Sequence, residues 1–130
     1  MTPQKNAEVL ELPTSTLWFE ENGILCVNSK RSPPQTTEEQ KQSLKTFFDF
    51  LNGRKVCLLL DVTLANPSSE EQRELASAEF PGFTRALAFL SGSALGKMVA
   101  NIFFSIKKQP YPLKMFTDEA EAKEWLKQYL

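Results

Sequence analysis

The sequence predicts a single α/β domain built on a mixed β-sheet, and three observations carry that expectation. Asn22-Gly23 lies between two apolar runs, the strongest short hairpin signal, because both turn residues tolerate positive φ. Val56-Cys57-Leu58-Leu59-Leu60 is apolar at every position, the mark of a central strand covered on both faces. Helix and strand patterns then alternate to the end of the chain, which implies parallel, right-handed crossovers with helices packed on the sheet.

Each element has a local reason. Residues 8–12 and 17–20 read as strands, and 24–27 as the return strand of the hairpin. Ser32-Pro33-Pro34-Gln35 cannot continue a ladder, since proline has no N–H to give. Thr36-Thr37-Glu38-Glu39 is a capping box, and the helix it opens aligns Leu44, Phe47, Phe48 and Leu51 on one face. Gly53 is expected to end that helix in a left-handed conformation. After Pro67, Ser68 and Glu71 form a second capping box, opening a helix that stops at Phe80-Pro81-Gly82. Residues 85–90 read as a strand. From Ala94 a third helix is expected, with Leu95, Met98, Val99, Ile102, Phe103 and Ile106 on its inner face. Residues 113–116 are the last strand. Asp118 caps a final helix whose buried stripe is Ala122, Trp125, Leu126, Tyr129 and Leu130. The order is three strands followed by α-β-α-β-α-β-α, about four helices in all. No linker interrupts it, so residues 1–130 form one domain, with the polar 1–7 expected to be flexible.

Composition excludes several function classes. The chain has 130 residues, enough for a real core, with 42% hydrophobic and 24% charged residues and a net charge of −1. Such a balance suggests no nucleic-acid partner. There is no histidine, so Ser-His-Asp and Cys-His mechanisms are impossible within one chain, and the commonest metal ligand is missing. Cys26 and Cys57 sit inside apolar runs and read as buried core thiols, which with the polar N-terminus points to a reducing, cytoplasmic setting. No Gly-rich phosphate loop, metal-ligand cluster or cofactor motif is present. Glu20-Glu21, Glu38-Glu39 and Glu70-Glu71 lie at turns or first helical turns and read as cap and dipole partners rather than acid/base pairs. Charge is uneven, however. Residues 1–80 carry −4 and residues 81–130 carry +3, with no acidic residue between Phe80 and Thr117. That stretch is either a solvated basic edge or a site for an anion or a membrane surface.

With this order of elements, the chain resembles the STAS-like (anti-sigma-factor-antagonist-like) superfamily, and more closely its small, uncharacterised bacterial branch. The residues that carry the resemblance are the Asn22-Gly23 hairpin, the strand at 56–61, Gly96-Lys97-Met98-Val99-Ala100-Asn101, and Pro112-Leu113-Lys114-Met115-Phe116-Thr117 with Ala122 and Trp125-Leu126. The resemblance implies a STAS-like fold and a regulatory role through protein contacts. In the best-known members a serine in an Asp-Ser-Ser-Gly turn after the central strand is phosphorylated to control binding to a kinase. Here the strand ends at Asp61 and the matching helix start reads Asn66-Pro67-Ser68-Ser69-Glu70, with neither the aspartate nor the glycine around the serines.

The candidate positions follow. Ser68 and Ser69 are helix caps or phospho-acceptors. Asp61, at a strand end where α/β folds present functional groups, binds loop amides or a ligand. Phe104 falls on the side of the third helix away from its core stripe, together with Lys97, Ala100 and Asn101. It is either a contact surface, with self-association through a two-fold dimer, or a packing residue under a neighbouring loop. The expected function is a non-enzymatic, cytoplasmic binding or regulatory module acting through protein contacts. The alternative is a carrier or sensor of a lipid or another apolar anion, which an apolar cavity would favour. No catalytic residue, metal or cofactor is expected.

Overall fold

The computed structural model describes residues 1–92 and 109–130. Six strands form one sheet in sequence order: β1 (Val9–Glu11), β2 (Ser15–Phe19), β3 (Leu25–Ser29), β4 (Val56–Asp61), β5 (Thr84–Leu90) and β6 (Leu113–Phe116). The first three run antiparallel, pairing Leu17 with Val27 and Trp18 with Cys26. From β3 onward every pairing is parallel, with Asn28 opposite Asp61 and Leu60 opposite Phe89. This is the mixed α/β sheet that the sequence predicts.

Three α-helices lie among the described residues: α1 (Thr37–Leu51), α2 (Glu70–Glu79) and α3 (Glu119–Lys127). About four were expected. The additional one, from Ala94, lies outside the described residues.

The strands advance in one direction across the sheet. Right-handed crossovers therefore put α1 and α2 on the same face. Their Phe47, Leu51 and Ala76 join Leu25, Val27, Leu58, Leu60, Leu87 and Phe89 in one core cluster. The alternate residues Cys26, Cys57, Leu59, Ala86, Ala88 and Leu90 point to the other face, where Ala122 and Leu126 of α3 cover them. Val56 to Leu60 are all buried, as a strand covered on both sides requires.

Several details differ from the sequence expectation. The hairpin loop spans five residues, because Phe19 already pairs with Leu25. Only Gly23 takes positive φ (94°). Asn22 instead accepts the Ile24 N–H on its side chain at 3.2 Å. Helix α1 ends one residue early, with Asn52 (φ 53°) and then Gly53 (φ 79°) both left-handed. Leu130 is exposed, and Trp125 and Tyr129 are only half-buried, so the stripe of α3 is narrower than its spacing suggests. At the N-terminus the Asn28 side-chain amide donates to the Met1 carbonyl at 2.7 Å, and Met1 and Ala7 pack against the α3-face core, while residues 2–6 are exposed.

A cavity at the strand ends under two helix N-termini

Helix α1 starts as the sequence predicts. The Thr36 hydroxyl accepts from the Glu39 N–H at 3.1 Å, and the Thr36 N–H donates to Glu39 Oε1 at 2.9 Å. That backbone hydrogen bond holds the Glu39 carboxyl below its usual range. Helix α2 corrects the expectation by one residue. Its N-cap is Ser69, not Ser68, and the partner is Gln72, not Glu71: Ser69 Oγ accepts from the Gln72 N–H at 3.1 Å and Gln72 Oε1 accepts from the Ser69 N–H at 3.0 Å. Both registers fit the capping pattern. The later one wins because it turns Gln72 inward, where its Nε2 also donates to the Gln35 carbonyl at 2.8 Å. Glu71 stays in solvent, where a first-turn carboxylate favours the helix dipole at no desolvation cost.

Gln72 thereby joins three segments. Its own carbonyl accepts from Gln40 Nε2 of α1 at 3.0 Å. The loop before α1, the first turn of α1 and the first turn of α2 are thus held together over the C-terminal ends of β3 and β4. A second set of bonds closes the loop after β4. Asp61 Oδ1 accepts from the Thr63 N–H at 2.9 Å, the Ser29 hydroxyl from the Leu64 N–H at 3.0 Å, and the Ser32 carbonyl from Asn66 Nδ2 at 2.9 Å. Asp61 therefore binds a loop amide, the first of the two roles expected of it.

Beneath this rim lies a cavity of about 160 Å³. Val27, Leu58, Leu60, Phe47, Phe80 and Phe83 are among its apolar lining. The polar lining includes Gln35, Gln40, Gln72, Ser68, Lys30 and Asp61. The Lys30 ammonium is held 2.7 Å from Glu11 Oε2, a contact that also keeps the Glu11 carboxyl low. Charge at the mouth is therefore nearly balanced. The rings do not collapse into the space because they brace one another: Phe83 sits 4.7 Å, 5.0 Å and 4.8 Å (ring centroids) from Phe47, Phe48 and Phe80.

The structure brings together two of the sequence-predicted positions, Ser68 and Asp61, on the cavity lining. Ser69 is exposed and committed to its cap. The Ser68 carbonyl accepts from Arg73 Nη1 at 2.6 Å. Lys97, Ala100, Asn101 and Phe104 lie outside the described residues. Sequence reading missed Gln35, Gln40 and Gln72. The available signal was that all three flank the two capping motifs, whose first turns must face each other once both crossovers share a face. Burial pushes the Cys26 thiol up to about 12, with Glu20 adding to it, and raises Cys57 as well, so both are inert core groups. No cluster of potential metal ligands occurs among the described residues.

A model of the family "domain of unknown function" DUF7793 matches residues 17–130. The chain belongs to the DUF7793 family. The match runs from the middle of β2 to the end of the chain, so it takes in β3, β4, α1 and α2 and hence both rim helices of the cavity. The lining residues Leu12, Thr14 and Ser15 precede it. Neither a curated protein nor a solved structure matches the sequence. No described helix of this DUF7793 protein is long and apolar enough to cross a membrane.

Proposed function

We propose that this DUF7793 protein is a non-enzymatic binding module that holds a small, largely apolar molecule between α1, α2 and the sheet. The cavity of about 160 Å³, apolar in its floor and polar at its mouth, carries the reading. It opens at the C-terminal ends of parallel strands, where α/β sheets commonly receive ligands. An apolar cavity of about 150 Å³ is known to take benzene, so this one suits a single ring or a short branched chain rather than a whole acyl chain. The paired Lys30 argues for an uncharged occupant over an anion.

The kinship we propose is with the STAS-like superfamily, supported by the antiparallel opening strands followed by parallel crossovers. In that setting the module is cytoplasmic and bacterial, and occupancy of the cavity tunes the spacing of α1 and α2 for a protein partner. A second copy joined through Phe104 remains a proposal, which light scattering of Phe104→Glu tests. The binding reading is tested by native mass spectrometry of protein isolated from its own cells, with Ala76→Leu as control. A small noncovalent adduct that is lost in Ala76→Leu is expected. An adduct retained by that variant, or none from any growth condition, would overturn it.

A further inference from the structure

Resting on the reading of the cavity as a binding site, we propose that its occupant carries a hydrogen-bond donor, an O–H or N–H on an apolar, ring-sized body, and that Gln40 and Gln35 receive it. Gln40 fixes the argument. Its Nε2 donates to the Gln72 carbonyl at 3.0 Å. A carbonyl only accepts, so the amide cannot be turned round; one N–H is used there, and the oxygen is the buried atom left without a partner. That Oε1 is buried and meets no hydrogen-bond partner among the described residues, and the same holds for Gln35 Oε1. Both residues line the cavity.

A buried amide oxygen without a donor is costly, and native folds answer nearly all of them. Three donor groups around this mouth already have a partner. Gln72 Nε2 goes to the Gln35 carbonyl, Asn66 Nδ2 to the Ser32 carbonyl, and Lys30 Nζ to Glu11. The rim therefore keeps two buried acceptor oxygens without a donor among the described residues, over an apolar floor. A carboxylate, an ether or a bare hydrocarbon leaves the two oxygens unanswered. An alcohol, phenol, amine or amide head supplies what they lack, while its body fills the space beside Phe47, Phe80 and Phe83.

The test is a titration of the wild-type protein with phenol, anisole and toluene, followed by amide chemical shifts in ¹H–¹⁵N spectra. The three share a ring and differ in the head: donor, acceptor only, and neither. Phenol is expected to bind about tenfold tighter than the other two, as one well-made hydrogen bond to a buried acceptor allows. Its shifts should centre on cavity residues and on the Gln40 side-chain amide. Gln40→Met keeps the volume and is expected to shrink the preference to under about threefold while toluene still binds. Equal affinity for all three in the wild type overturns the donor requirement and leaves the cavity reading standing, since water then serves the two oxygens. Failure of all three to bind overturns both. The wild-type ranking decides the matter even if Gln40→Met does not fold.

Discussion

The two faces of one sheet solve the same packing problem in opposite ways. Toward α3 the strands present Cys26, Cys57, Ala86 and Ala88 beside the larger Trp18, Leu59 and Leu90, and the helix answers with Ala122 and Leu126. Small residues let the helix backbone approach, and no core residue of this face lines the cavity. Toward α1 and α2 the strands present Val27, Leu58, Leu60, Leu87 and Phe89, and the connections add Phe47, Phe80 and Phe83. The cavity lies on this face, among the three Phe rings. Bulk alone does not fill space: rings locked against one another hold the two helices apart, and the polar bonds through Gln72 fix that separation at the rim. If a ligand enters this fold, the difference between the faces says where.

The largest effect should come from the ring that keeps the cavity open. Phe83 is fully buried and contacts three other rings. Phe83→Ala should cost about 3–5 kcal/mol, as other core Phe truncations do. Urea unfolding measures it. A cost under about 1 kcal/mol would show that α1 and α2 relax into the space, and that the rings do not brace the cavity.

The next comparison sets one alanine against another. Ala76 of α2 lines the cavity, and Ala122 of α3 is fully buried in the tighter face. Ala122→Leu should cost about 1–3 kcal/mol, the usual penalty of forcing methylenes into a filled core. Ala76→Leu places the same atoms beside a void and should change stability by less than about 1 kcal/mol while abolishing phenol binding. Equal penalties in thermal melts would mean that the faces are packed alike.

How much of this was legible in the sequence follows from what each signal encodes. Apolar periodicity reports which residues face a core, so the central strand, the last strand and the inner face of α1 could all be read. Cap patterns report a helix start to within a residue, and Ser68-Ser69-Glu70-Glu71-Gln72 contains two overlapping solutions. Only the tertiary bond from Gln72 to the Gln35 carbonyl chooses between them. The cavity was not legible at all. It depends on how far apart two helices settle, and no spacing in one dimension states that distance. Trp125 shows the same limit. Its place in the stripe of α3 is right, yet the ring is only partly buried, against Phe116 and Tyr129 at 5.6 Å and 5.1 Å between ring centroids.

That geometry sets a smaller effect on the α3 face. Trp125→Ala should cost about 1–2 kcal/mol, well under the value for a fully buried Trp, because two ring contacts and part of the apolar area are lost. Leu126→Ala, one position on and completely buried, should cost about 2–5 kcal/mol. The reverse order in denaturant melts would place the anchor of α3 at its edge rather than under it.

The smallest effect probes the rim. Ser69 accepts the Gln72 N–H, and its own N–H goes back to Gln72 Oε1. Ser69→Ala removes the first bond and should cost about 1 kcal/mol. Ser68 makes no cap bond: its carbonyl, which alanine keeps, is what Arg73 uses. Ser68→Ala should therefore stay within about 0.5 kcal/mol of wild type. The pair also separates stability from binding. Losing the cap frees the first turn of α2 and with it the Gln72 side chain that ties the helix to the Gln35 carbonyl, so Ser69→Ala should weaken phenol binding more than its modest stability cost suggests. Ser68→Ala leaves that tie intact and should bind as wild type does. Were Ser68→Ala the costlier change, α2 would begin one residue earlier, Glu71 would take the capping place, and Gln72 would turn away from the mouth. The cavity would then lose the link that holds its two helices at a fixed distance.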